Sequence, residues 1–155
     1  MKKIMLLLLI SMSSQAGVRL IGEPTPLYES LIKEQSKKND DEINNGDVYY
    51  INLASMSLIE AKQSRKLIKE KHTTVIDMTE VHSESERINF SSKIIGLGVD
   101  TPVVVFGEIK GEQAINVVNA NITDINGNDI HNEDVMLESL TSSLIHVLDR
   151  FNGDK

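Results

Sequence analysis

Hydrophobic and polar residues fall into three arrangements along this chain, and each predicts a different kind of element. Residues 4–10 are unbroken apolar, follow Lys2 and Lys3, and lead into a small polar stretch at 11–16 that sets Ser14 and Ala16 at the two small-residue positions of a cleavage site. That order is the order of a bacterial secretory signal peptide, residues 1–16. A run of this length rises about 10 Å as a helix, a third of a bilayer's hydrocarbon core, so it predicts no membrane anchor. Residues 18–21 form a short apolar stretch, and Thr25 with Pro26 makes a cap and first turn for a helix carrying Leu27, Tyr28, Leu31 and Ile32. Residues 33–47 are almost wholly polar and read as a solvated linker, so 17–46 is taken as an N-terminal extension and linker before the main domain at 47–155.

From residue 48 the spacing becomes regular. Residues 48–53, VYYINL, are a β-branched and aromatic run of the kind found in strands buried on both faces. Ser57 and Glu60 form a capping box, after which Leu58, Ala61, Leu67 and Ile68 give a sparse apolar stripe to a helix reaching about residue 71. A second strand is predicted at 73–78, and a second capping box, Ser83 with Glu86, opens a helix holding Ile88, Ile94 and Ile95 that ends at Gly96 and Gly98. A third strand follows at 101–106, a turn at 107–111, and a fourth strand around 115–122, the last two strands forming an antiparallel hairpin. Asn126 and Gly127 mark another turn. The final helix carries Val135, Met136, Leu140, Leu144, Val147, Leu148 and Phe151 at steps of three and four and stops at Gly153.

The predicted order from residue 48 is strand, helix, strand, helix, strand, strand, helix: an α/β domain with parallel strands and an antiparallel hairpin at one side. This order, and the segment Gly96-Leu97-Gly98-Val99-Asp100-Thr101-Pro102 leading into Val103-Val104-Val105-Phe106, resembles the thioredoxin-like fold (βαβαββα). The resemblance implies a cis peptide bond before Pro102 at the head of the third strand, and a third strand lying beside the first. At the position of that family's redox motif the chain reads Ala54-Ser55-Met56-Ser57, without a thiol. Among exported thioredoxin-like proteins the chain is similar to TrbC-type pilus-assembly proteins of conjugative systems and related type IV secretion accessory proteins, which implies work in assembling an envelope apparatus.

Composition narrows the chemistry. With no Cys among 155 residues, the chain cannot be a disulfide scaffold, a thiol oxidoreductase or a cysteine-ligated metal protein, and it has no disulfide partner. A formal net charge of −7 and a pI near 5.1 argue against a nucleic-acid partner. His72, His82, His131 and His146 are the whole histidine supply, and none has the helical spacing of a zinc site. Asp77, Glu80 and His82, just past the second strand, are the best candidates for a metal or acid–base cluster, and a small periplasmic hydrolase or metal-dependent enzyme built on them is the alternative reading. Asp124, Asn126 and Asn128 imitate the start of a calcium loop, but Gly127 is misplaced and Val135 stands where a bidentate Glu is needed, so a tight Asn-Gly turn explains them. No nucleophile elbow or phosphate loop frames any serine. Asn89 and Asn121 head glycosylation sequons, which carry no meaning if the source is bacterial.

The remaining positive signal is a basic stripe, Lys62, Arg65, Lys66, Lys69 and Lys71, on the helix after the first core strand. It reads either as a solvated helix face or as a surface for docking an acidic partner. The sequence therefore predicts a periplasmic protein without cofactor, metal or catalytic residues, which works by protein contact with envelope secretion or pilus-assembly components. Export should remove residues 1–16 with Lys2 and Lys3, shifting the formal charge from −7 to −9. Intact-mass analysis of the protein recovered from the periplasm should find Gly17 at its N-terminus; a product retaining Lys2 would contradict the signal-peptide reading.

Overall fold

The computed structural model describes residues 14–15, 17–37, 48–69, 72–120 and 122–153. The signal-peptide reading lies outside the described residues except at Ser14 and Gln15, and so does the polar stretch at 38–47. Eleven elements follow in order: β1 (Ser14–Gln15), β2 (Val18–Ile21), α1 (Pro26–Lys37), β3 (Val48–Asn52), a single 3-10 turn (Leu53–Ser55), α2 (Leu58–Lys69), β4 (Thr73–Asp77), α3 (Glu84–Ile95), β5 (Val103–Ile109), β6 (Glu112–Val118) and α4 (Glu133–Gly153). The strands form one mixed sheet in sequence order, β1-β2-β3-β4-β5-β6. β2, β3 and β4 are parallel, while β1, β5 and β6 run antiparallel to their neighbours.

Strand alternation sorts the apolar residues into two layers. Val18, Leu20, Val48, Tyr50, Val75, Val103 and Val105 face Leu27 and Leu31 of α1 and Leu140, Leu144, Leu148 and Phe151 of α4. Ile51, Ile76, Val104 and Phe106 face Ala61 and Ile68 of α2 and Ile94 of α3. β4 is buried at every position, as a continuous apolar run in the middle of a two-sided sheet requires. Because α1 and α2 cover opposite faces while β2, β3 and β4 advance in one direction, the two parallel crossovers have opposite hands, and one is of the uncommon left-handed kind.

The first capping box forms in full: Ser57 N–H donates to Glu60 Oε2 at 2.8 Å and Ser57 Oγ accepts from Glu60 N–H at 3.3 Å. At the second, Ser83 caps α3 by accepting from Glu86 N–H at 3.4 Å, the N-cap half of the box. Gly96 ends α3 in the left-handed region, with φ of 79°. In other places the structure corrects the sequence reading. Residues 18–37, read as an extension, carry β2 and α1, which join the sheet and its core, and α1 continues through polar residues 33–37 because Leu27, Tyr28 and Leu31 hold its inner face. β5 runs through Gly107 to Ile109, and the turn narrows to Lys110–Gly111, both at positive φ.

The strand order departs from the one the thioredoxin resemblance implies. The third core strand, β5, pairs with β4 and not with β3, because β2 already occupies the other edge of β3. The cis bond expected before Pro102 is absent, as no described peptide bond is cis. Pro102 instead extends the β4–β5 ladder, its carbonyl accepting from Met78 N–H at 2.8 Å, while Thr101 Oγ1 donates to Asn119 Oδ1 at 2.8 Å.

At Gly107 the ring of Phe151 on α4 packs directly on the sheet backbone. A Cβ there would sit 2.7 Å from Phe151 Cδ1 and 3.3 Å from Thr73 Oγ1. Gly107→Ala should therefore destabilise the fold by about 1–3 kcal/mol through overpacking. Urea denaturation should show the loss, and Phe151→Leu in the same chain should cost less than the sum of the two single changes; additive losses would separate Gly107 from the ring.

Candidate functional site

Loops at the C-terminal ends of parallel strands are where α/β proteins build sites, and here the ends of β2, β3 and β4 converge on Asp77. Asp77 closes β4 and is fully buried. A carboxylate can be held there only if donors replace its water. Its Oδ2 accepts from Thr25 Oγ1 at 2.6 Å and from the Tyr50 hydroxyl at 2.5 Å, and its Oδ1 accepts from Thr79 N–H at 2.8 Å and Thr79 Oγ1 at 2.6 Å. Thr25 Oγ1 also accepts from Tyr28 N–H at 3.1 Å, capping α1. Burial, and then the negative charge of Asp77, push the Tyr50 phenol well above its ordinary range.

Asp77 is thus engaged on both oxygens by the protein itself. The structure does not gather it with Glu80 and His82, whose side chains are exposed. Among the described residues, no three of His, Cys, Asp and Glu are placed to hold a metal ion. His72 packs edge-on against Tyr49 with ring centroids 5.1 Å apart, and His131 is exposed. Asp124 Oδ1 accepts from the backbone N–H groups of Asn126 and Asn128, and its Oδ2 from Asn128 Nδ2, bonds that hold the carboxyl below the usual range and bind the turn to itself.

The segment 54–57 serves to join loops. Ser55 Oγ accepts from Glu23 N–H at 3.0 Å and donates to the Asn52 carbonyl, while Asn52 Nδ2 donates to the Glu23 carbonyl. Gly22, at φ 96°, lets the chain pass so close that a Cβ would fall on Ser55 Oγ. The loop before α1 and the loop before α2 are stapled into one rim.

α2 leaves this rim with Ala61, Ser64 and Ile68 turned inward and Lys62, Arg65 and Lys66 exposed. The side chain of Lys69, and Lys71 altogether, lie outside the described residues. Ile59, which the sequence reading passed over, stands on the same outer side as Lys62 and Lys66, one and two turns away, and is 71% exposed. The donors around Asp77 were missed as well. Their signal was an ionisable residue inside the run 73–78, where both faces are apolar and a partner must be supplied.

Fold and surface together define a mixed α/β protein in which the buried carboxylate is a structural tie and the exposed chemistry is a basic helix face carrying an apolar residue. No helix among the described residues is long and apolar enough to cross a membrane. No family model matches the chain, and no solved structure does. Over 150 residues it is 33% identical to the cytolysin secretion protein of Vibrio vulnificus (strain CMCP6), a match covering 94% of this chain and 89% of that protein. The chain belongs to the family of that cytolysin secretion protein.

The Tyr50–Asp77 bond makes stability depend on alkaline pH. Because the folded phenol is raised above its ordinary 10.0, the unfolded chain gives up its proton first as pH climbs, so the stabilisation is whole below that value and is lost above it. Tyr50→Phe should cost about 1.5–3 kcal/mol near neutral pH and flatten the decline in urea midpoint as pH rises above about 10. An unchanged alkaline slope would mean that the phenol is not held in this way. Asp77→Ala should cost about 3 kcal/mol by leaving the hydroxyls of Thr25 and Tyr50 without their acceptor.

Proposed function

We infer that this protein is an accessory factor in export of a secreted protein, working in the periplasm by direct contact and not by catalysis. The observation that carries the reading is the near full-length match to a cytolysin secretion protein. That relative's name concerns secretion of a cytolysin, so export of a secreted protein is a better reading than assembly of a conjugative pilus. The exposed face of α2 supports docking: Lys62 and Lys66 stand one and two turns from exposed Ile59, and Arg65 is exposed on the same helix, a combination suited to a partner that offers acidic residues beside an apolar contact. The absence of Cys from the chain agrees with a role that involves no thiol exchange.

The partner is an envelope secretion component or the exported protein itself. Deleting the gene should lower the amount of the exported protein in the medium and raise the cell-associated amount. A variant carrying Lys62→Glu, Arg65→Glu and Lys66→Glu should accumulate normally, since exposed charges contribute about 0–1 kcal/mol each, yet fail to restore export. Full restoration by the variant would remove the α2 face from the reading, and unchanged secretion in the deletion strain would remove the reading itself.

A further inference from the structure

β6 is the last strand of the sheet, and among the described residues no strand pairs with its outer edge. The turn at Lys110–Gly111 makes Ile109 and Glu112 a mutually hydrogen-bonded pair, so by alternation Glu112, Ala114, Asn116 and Val118 bond to β5. The backbone N–H and C=O groups of Gln113, Ile115 and Val117 therefore face outward. Ile115 and Val117 lie opposite Phe106 and Val104, on the α2–α3 side of the sheet, and remain 42% and 47% exposed. On the α4 side, β6 borders an open cleft of about 630 Å³ lined by Asn116, Val118, Asn119, His146 and Arg150. The strand carries no Lys, Pro or bulge, the usual protections of an exposed edge.

We propose that this edge is a self-association surface, on which β6 of one copy pairs antiparallel with β6 of a second copy about a two-fold axis at Ile115. The register follows from which groups face outward. It sets Ile115 against its own counterpart and Gln113 against Val117 of the second copy, bringing the exposed aliphatic side chains together on one face. On the other face Glu112 comes opposite Val118 of the second copy, whose cleft also holds Arg150 and His146. The acid at one end of β6 thus meets the bases at the other end, twice by symmetry. This charge match selects a second copy over an unrelated extended segment, which would satisfy the backbone but not the ends. One strand pair buries less than the roughly 1,200 Å² of a stable complex, so the association is concentration-dependent. The proposal does not rest on the secretion reading.

Sedimentation velocity on the protein as isolated from its host, at low salt and between about 1 and 200 μM, should show monomer passing into dimer. Val117→Pro removes an outward donor and no bond to β5, and should leave monomer with unchanged circular dichroism; Ile115→Lys should do the same without touching the backbone. Glu112→Arg and Arg150→Glu should each weaken the dimer about tenfold, and the two together should recover most of that loss. Monomer at every concentration, a dimer indifferent to both edge variants, or a double reversal no tighter than the single ones would overturn the proposal.

Discussion

The fold depends on a single carboxylate kept away from water. Asp77 is tied to the loop before α1 through Thr25, to β3 through Tyr50 and to the turn after β4 through Thr79. Taking a carboxylate out of water costs several kcal/mol, and four charge-assisted bonds of about 1.5–3 kcal/mol each roughly offset that cost. The net contribution to stability is accordingly small compared with the geometric constraint. Only one placement of α1, with Thr25 as its cap, satisfies both the helix terminus and the acid.

That constraint bears on the architecture. α1 lies on one face of the sheet and α2 on the other, although both connect parallel neighbours in the same direction. A left-handed crossover is disfavoured because a twisted sheet feeds its helices back more readily with the other hand. Here Thr25, Gly22, Ser55 and Asn52 bind the two connecting loops to each other and to Asp77, which fixes where both helices start. α2 leaves this fixed rim with Lys62, Arg65 and Lys66 turned outward.

Much of the local structure was legible in the sequence. The capping box at Ser57, the N-cap at Ser83, the glycine stop of α3 and the spacing of α4 are short-range signals, each set within a few residues. Strand order was not legible, because it depends on which edge of β3 is free, and that is decided by Val18–Ile21, four residues too short to announce themselves as a strand. Pro102 misled for a related reason: Thr-Pro before a β-branched run fits a trans bond that extends an antiparallel ladder equally well. At the candidate site, the basic face of α2 was visible from spacing alone, whereas Asp77 was read as loop chemistry because its three partners come from residues 25, 50 and 79.

The position of α4 has a consequence for how the chain folds. α1 is made early, yet its main packing partner is the last helix, and Thr141 Oγ1 reaches Ser30 Oγ at 2.9 Å across 111 residues of sequence. Until residues 140–151 have been synthesised, α1 alone covers its face of the sheet, and Val103 and Val105 lack the apolar side chains that α4 brings to that layer. Such long-range closure slows folding. The helix made last therefore closes the apolar layer that the helix made first begins.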